Sequence, residues 1–573
     1  MAIKLGRCLM AQADTGVGKT VGTLFPALKA MPAQLDKIFF LTAKASGQLA
    51  PMAAIEKLAG TMSAPLRTLQ LVARDKACER PGRACHGESC DLARGFYDRL
   101  PAARQEAVDA DRFTNDDVRA VARTHAVCPY YLAQELARWA DVVVADVNYY
   151  FDGSALLHAL TVENAWHVAV LVDEAHNLVE RGRSMYTTSL NRNTLRAAAA
   201  VAPPALGRPL RRLGRAWGQI TKAQREPYAA FDAVPPTLTT AVREVSAAIG
   251  DALAQAQAQA HPLASMGGPV LDLYFETVQF TRLAESFGGH SVFDVSVARE
   301  TAGARRGRPN GSRESSLCIR NVVPAPFLAT HRASARATVL FSATLSPHRF
   351  YADTLGLPSD HAWLETDAPF SAAQLDVRVV ADISTRYLHR QRSLEPIARL
   401  IAAQLERQPG NYIAFFSSHE YLEQVADAVA RLCPRVDTWR QSRRMSDAEE
   451  LSFLEKFAPG TCGVGFTVLG GSFAEGVDLP GERLIGAFVA TLGLPQFNPV
   501  NEQMRKTLQA TFGAGYDYAY LFPGIRKVVQ AAGRVVRTTT DRGIIHLIDD
   551  RFARPEVRRL LPAWWALPAA AHS

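Results

Sequence analysis

Long hydrophobic runs are missing from this chain. No apolar stretch approaches the 18 or more residues that a spanning helix needs, so helical membrane proteins are excluded. The N-terminus lacks the apolar core and cleavage site of a secretory signal, and a cytoplasmic location is expected. Cysteine is scarce, with 8 in 573 residues, and thiols in a reducing compartment do not build a disulfide scaffold. Charge is restrained as well. Charged residues make up 21% and hydrophobic residues 48%, the balance of a globular protein rather than a disordered one. A single core cannot serve this length, and roughly three or four domains are expected. The formal net charge of +8 suits a polyanionic partner, although solvated arginine-rich faces alone would also produce it.

What is present is organised around Ala13-Asp14-Thr15-Gly16-Val17-Gly18-Lys19-Thr20. An apolar run, Cys8 to Gln12, precedes it, and Val21, Leu24 and Leu28 follow at helical spacing. Strand, glycine loop and helix N-terminus are the setting of a phosphate-binding loop, here with Ala13 at its first glycine position. Gly16 and Gly18 let backbone N–H groups close on phosphate oxygens, and the helix points its positive end at the anion. Lys19 would bridge the β- and γ-phosphates, and Thr20 would offer its hydroxyl to Mg²⁺. The alternative is a glycine-rich turn that only ends a strand.

Further buried strands are expected at Lys37–Leu41, Ala140–Asp146, Val168–Val172 and Ala337–Phe341. In a second half beginning near Asp376 they are expected at Tyr412–Phe416, Leu484–Val489 and Ile544–Ile548. Polar residues cluster at their ends: Thr42 and Lys44 after the first, Asp173 and Glu174 after Val172, and Ser342-Ala343-Thr344 after Phe341. The ligand side of a parallel α/β sheet lies at such ends. Asp173 is a candidate Mg²⁺ ligand and Glu174 a candidate general base for an attacking water. A helix N-terminus that simply favours acidic residues would look the same. Gln530-Ala531-Ala532-Gly533-Arg534-Val535-Val536-Arg537 is expected to open a helix with Arg534 and Arg537 on one face. That pair would neutralise a γ-phosphate or sit in solvent. Gly470 to Asp478 is a glycine-punctuated loop with acidic residues.

Two stretches break the α/β rhythm. Cys78, Cys85, Cys90 and Cys128 are separated by six, four and thirty-seven residues, in polar helix-forming sequence. An iron–sulfur cluster, a zinc ion and unrelated buried thiols all remain open from that spacing. Cys8, Cys318, Cys433 and Cys462 are read as packing residues. From about Leu190 to Arg320 the pattern is alanine-rich and helical, including the run Ala252 to Ala260, with no β-rich segment. Near its end Arg305, Arg306, Arg308 and Arg313 form either a phosphate-touching loop or a solvated tip.

Taken in order, these motifs resemble those of superfamily 2 helicases of the DEAH type, and more narrowly the XPD/DinG family of iron–sulfur DNA helicases. The extended Asp173-Glu174-Ala175-His176-Asn177-Leu178, the four cysteines between the first and second motifs, and the insertion after the second carry the narrower likeness. The resemblance covers essentially the whole chain. It implies an α/β fold with two RecA-like motor domains. Motor domain 1 would comprise 1–73, 137–189 and 326–375, interrupted by an Fe–S cluster domain at 74–136 and a mainly helical arch-like insertion at 190–325. Motor domain 2 would be 376–573. Cys78, Cys85, Cys90 and Cys128 match the ligands of a [4Fe–4S] cluster. Ala13 to Thr20, together with Gly476 and Asp478, match nucleotide-binding positions. Lys19, Asp173, Glu174, Gln530, Arg534 and Arg537 match catalytic positions, and Thr20 and Asp173 match the Mg²⁺ contacts. Thr42 and Lys44 fall where the family touches the DNA backbone.

The activity implied is ATP-dependent unwinding of DNA, with 5′ to 3′ translocation on single-stranded DNA, in repair or replication-conflict resolution. A monomer acting at duplex junctions is expected. One departure is the family's adenine-contacting segment, which is not among the twelve residues before Ala13; a truncated or mis-started reading of a longer gene is expected from it. Two further readings therefore stand beside the first. One is an ATPase acting on RNA or RNA–DNA hybrids, and the other is a catalytically silent DNA-binding fragment.

Overall fold

Continuous apolar runs of five or six residues become buried strands, as parallel sheets covered on both faces require. The computed structural model describes residues 1–62, 65–83, 85–110, 112–258, 268–298, 314–471, 473 and 479–567. Gly476, Asp478, Arg305, Arg306, Arg308, Arg313 and the end of the Ala252 to Ala260 run lie outside these residues. The chain divides into two compact units. One comprises Met1–Met10, Thr20–Leu340 and Tyr351–Ala362; the other comprises Ala11–Lys19, Phe341–Phe350 and Trp363–Ser573.

The first sheet takes up β1 (Cys8–Gln12), β2 (Lys37–Thr42), β3 (Thr68–Gln70), β4 (Arg112–Phe113), β5 (Val142–Asp146) and β6 (Val168–Asp173). A second, smaller sheet follows in the chain, with β7 (Thr188–Asn191), β8 (Tyr228–Phe231), β9 (Ser291–Val297) and β10 (Ser315–Asn321). The first sheet is then completed by β11 (Ala337–Ser342) and β12 (Ala362–Glu365), in the order β12-β1-β11-β6-β2-β5-β3-β4. Central β2 pairs in parallel with both β5 and β6, and Ile38, Phe39, Phe40 and Leu41 are fully buried. Strands β1, β2, β5, β6 and β11 agree with their expected runs to within about two residues, whereas β3, β4 and β12 had no expected run.

The stretch from Leu190 differs from expectation. Four helices, Arg192–Val201, Gly207–Ala223, Pro236–Ala258 and Gly268–Glu285, do dominate it. Against them lies an antiparallel sheet, ordered β7-β10-β9-β8, that the alanine-rich composition concealed. Its strands are short and interrupted by long helices, so the period-2 signal of Ser291–Val297 was diluted. Arg320 and the buried Asp294 form an ion pair at 2.6 Å across paired β9 and β10.

In the second unit the strands are β13 (Leu375–Val380), β14 (Asn411–Phe416), β15 (Asp437–Arg440), β16 (Gly463–Val468), β17 (Gly486–Ala490) and β18 (Gly543–Ile548). All pair in parallel, in the order β13-β18-β17-β14-β16-β15. Alternation divides β14 between two cores. Ile413 and Phe415 join Val489, Val528 and Leu547 on one face, while Tyr412, Ala414 and Phe416 join Ile397, Val425 and Phe488 on the other.

Candidate functional site

The phosphate loop follows β1 directly, and its backbone explains its glycines. Gly16 and Gly18 have φ of 90° and 79°, left-handed values that a side chain makes costly. A Cβ on Gly16 would lie 3.6 Å from the Arg537 carbonyl oxygen, an ordinary contact, so the backbone conformation alone accounts for the glycine there. The Lys19 ammonium donates to the carbonyls of Ala13 at 3.1 Å and Asp14 at 3.3 Å, folding over the loop. The following helix, Lys19–Ala30, buries Leu24, Ala27 and Leu28, whereas Val21, expected on the same apolar face, is exposed. Burial raises the Asp14 carboxyl above its ordinary pKa, and the Lys19 charge opposes that shift.

The turn after β11 holds the start of this loop. Ala13 N–H donates to the Ser342 carbonyl at 2.9 Å, and Leu345 N–H to the Gln12 side-chain oxygen at 2.8 Å. Gln12 also donates to Glu365 at 3.0 Å. The Ser-Ala-Thr turn and the phosphate loop are therefore one hydrogen-bonded assembly. Beside it opens a cavity of about 410 Å³ lined by Gln12, Asp14, Thr344, Glu365, Arg526 and Trp564, among others. Sequence reasoning missed Gln12, Glu365 and Trp564, which carry no motif and meet only through the fold.

In the first unit, β6 delivers Asp173 and Glu174 at its carboxyl end. Glu174 adopts φ 47°, ψ 45°, a left-handed conformation that costs a non-glycine residue on the order of 1–3 kcal/mol and clusters at functional sites. Its N–H donates to Asp173 Oδ1 at 2.8 Å, and its carboxylate lies 3.3 Å from Nδ1 of buried His176. A 3₁₀ turn, Ala175–Asn177, and the helix Leu178–Met185 follow. Asp173 and Glu174 thus end a strand instead of decorating a helix. At the end of β2, Thr42 is buried and donates its hydroxyl to the Lys44 carbonyl at 3.0 Å, shaping the exposed turn instead of presenting itself.

The arginine motif departs from expectation. The helix Phe522–Ala532 ends at Gly533, so Gln530 lies in its last turn while Arg534 and Arg537 lie beyond it. They do not share a helical face. Buried Val535 and Val536 anchor the segment, and Asp541 accepts from the N–H groups of Arg537 and Thr538, both at 2.8 Å. Burial works to raise the Asp541 pKa, but the Thr538 hydroxyl and the Arg537 and Thr538 amides hold it below the ordinary value.

Cys78, Cys85, Cys90 and Cys128 are brought together around one cavity of about 20 Å³, with Tyr131 and Leu92. Cys128 precedes Pro129 at the start of the helix Pro129–Leu136. Burial raises its thiol pKa, and the Tyr131 and Tyr130 backbone N–H groups oppose that shift. Arg80 N–H points at the Cys78 sulfur at 3.4 Å. All four are free thiols. Among the described residues no three His, Cys, Asp or Glu side chains converge as a metal-holding group. Four soft sulfur donors around one cavity, two of them met by backbone N–H groups, still fit an iron–sulfur group in kind. Cys8 and Cys318 are buried elsewhere, as packing residues should be, while Cys433 and Cys462 are half-buried.

No helix among the described residues is long and apolar enough to cross a membrane. The DEAD_2 family model matches residues 52–195, and the Helicase C-terminal domain model matches residues 401–567. The chain is similar to ATP-dependent DNA helicase chl-1 of Caenorhabditis elegans, 25% identical over 42% of this chain and 31% of that protein. It is also similar to ATP-dependent helicase DinG of Mycobacterium tuberculosis, 26% identical over 44% of this chain and 39% of that protein. It spans less than half the length of these relatives. A solved XPD helicase shares its fold, with a TM-score of 0.62 at 15% identity, covering 98% of this chain and 95% of that one. Motif order, strand-end chemistry, family models and fold all support an XPD/DinG-like superfamily 2 helicase.

Proposed function

We propose that this chain is an ATP-dependent DNA helicase that translocates 5′ to 3′ on single-stranded DNA. The observation that carries the reading is the phosphate loop itself. Two left-handed glycines and a lysine folded onto the loop carbonyls stand between a buried strand and a helix N-terminus. In this reading Lys19 and the loop amides hold the β- and γ-phosphates, and Thr20 and Asp173 hold Mg²⁺. Glu174, oriented by His176, positions the attacking water. Gln530, Arg534 and Arg537 offset the negative charge that develops on the transferred phosphoryl group. Gly476 and Asp478 complete the nucleotide contacts.

Cys78, Cys85, Cys90 and Cys128 would hold a [4Fe–4S] cluster, which supplies a rigid cross-link among chain segments far apart in sequence. The segment 74–136 is then the cluster domain and 190–325 an arch-like insertion. Single-stranded DNA and duplex junctions are the partners, the protein acts as a monomer in the cytoplasm, and repair is its setting. Strand displacement tests the reading. A duplex with a 5′ single-stranded tail should be unwound with ATP and Mg²⁺, and one with only a 3′ tail should not. Equal unwinding of both, or of neither while ATP is hydrolysed, would overturn it.

A further inference from the structure

The chain's basic excess is concentrated in one place. Residues 192–225 contain eight Lys and Arg and no Asp or Glu. Sixty-four basic residues less these eight equal the chain's fifty-six acidic ones, so this short stretch holds the whole formal net charge of +8. Most of it lies on or beside the helix Gly207–Ala223.

That helix has a fixed orientation. Leu210, Leu213, Ala216 and Trp217 are buried, and the Trp217 indole N–H donates to Ser315 at 3.0 Å. The opposite stripe must therefore face outward. It consists of Arg208, Arg211, Arg212, Arg215, Gln219 and Lys222, all exposed and spaced by three, four or seven positions along one face. Arg208 and Lys222 lie about 21 Å apart at 1.5 Å per residue. Arg212 is paired with Glu244. Arg208, Arg211, Arg215, Lys222 and nearby Arg225 make no ion pair among the described residues. A groove of about 440 Å³ runs alongside, where Arg212, Arg215 and Gln219 face Thr237 and Thr240 of the next helix.

We propose that this stripe and groove bind the phosphodiester backbone of a single nucleic-acid strand, as a contact additional to those of the motor motifs. Cations recurring about once per turn, with amide and hydroxyl donors between them, match a repeating phosphate chain. No large apolar side chain is exposed between Arg208 and Lys222, which disfavours a lipid surface. The contact is sequence-independent, and it rests on the reading of the chain as acting on single-stranded DNA.

The test uses the full-length chain without nucleotide and a fluorescently labelled single-stranded oligonucleotide, titrated across a range of KCl. The variant Arg208→Gln/Arg211→Gln/Arg215→Gln/Lys222→Gln removes four cations. A single strand contributes about 0.7 per phosphate contact to the salt slope, so the slope should fall by about 3. Affinity at low salt should fall about tenfold or more. Replacing Arg208, Arg211 and Arg215 by Lys should keep the slope. Removing four exposed cations elsewhere (Lys57, Arg431, Arg435 and Lys456) should leave it unchanged, which separates a local track from bulk charge. An unaltered slope in the Gln variant, or an equal fall in the control variant, overturns the proposal. ATP hydrolysis without DNA should be the same in the Gln variant and the parent. If the parent shows neither hydrolysis nor unwinding while the slopes behave as stated, the motor reading fails and the binding track stands.

Discussion

The ends of the parallel strands and the cysteine cavity solve the same problem, gathering reactive groups, in opposite ways. At β1 and β6 the proposed functional residues are consecutive in sequence, and a buried strand delivers them as a block. Around the cysteine cavity, residues as far apart as Cys78 and Cys128 must converge through several short helices. A block depends on one strand end and one turn, so it tolerates change at a distance. A converging set depends on every segment between its members. The two sites should therefore fail differently: substitutions at strand ends should remove chemistry and spare the fold, while substitutions at the cavity should loosen structure.

The largest expected effect is at the arginine segment. Arg534→Ala should lower the rate of ATP hydrolysis by roughly 10³-fold or more if the guanidinium offsets transition-state charge, with the melting temperature nearly unchanged. Steady-state hydrolysis with a thermal scan checks both, and a loss of only a few-fold would make Arg534 a surface residue. Next comes Glu174→Gln, which should cost roughly 10²- to 10⁴-fold in kcat with little change in the KM for ATP. A raised KM with kcat intact would assign Glu174 to binding instead.

The cysteines sharpen the contrast. Cys128→Ser should lose bound iron and visible absorbance and lower the thermal midpoint, whereas Cys8→Ser, in the buried strand β1, should keep the iron. Iron analysis of both purified variants decides this, and equal iron content would break the assignment. The smallest effect concerns a buried pair in the second unit. Asp549 is fully buried, and burial alone would raise its pKa, yet hydrogen bonds from Arg551 and Thr385 bring it down to about 2 from 3.8. A carboxyl depressed in the folded state stabilises above its unfolded pKa and loses that contribution as pH falls through its folded value. About 2 kcal/mol should thus be present above pH ~4 and disappear toward pH ~2. Denaturant unfolding of Asp549→Asn should lack this acid limb. The exposed Arg80–Asp91 pair beside the cysteines, screened by solvent, should contribute far less.

Legibility followed the same division. The central strands of the two large sheets, such as β2 and β14, were visible as short apolar runs because burial on both faces leaves no polar alternation to confuse with a helix, whereas the shorter or more polar β3, β4, β12, β13, β15 and β16 were not. Gly16, Gly18, Lys19, Asp173 and Glu174 were readable because their spacing is local. The four cysteines could be grouped, but their spacing alone left cluster, zinc and unrelated thiols open, since the intervening helices decide convergence. Two features were hidden for physical reasons. Gly533 ends the helix before Arg534, an effect of one residue's weak helix propensity that motif spacing does not report. The antiparallel sheet β7-β10-β9-β8 was masked by the alanine-rich helices between its strands. Trp564 and Glu365 reach the cavity beside Asp14 only through tertiary structure.

The central claim is that this chain couples ATP hydrolysis at Lys19 to single-stranded DNA and carries an iron–sulfur group at its four clustered cysteines. The most direct test is ATP hydrolysis with and without single-stranded DNA, on protein purified anaerobically with its visible spectrum recorded. The predicted result is brown protein whose hydrolysis rises strongly with DNA and is lost in Lys19→Ala. Colourless protein, or hydrolysis indifferent to both DNA and Lys19→Ala, would contradict it.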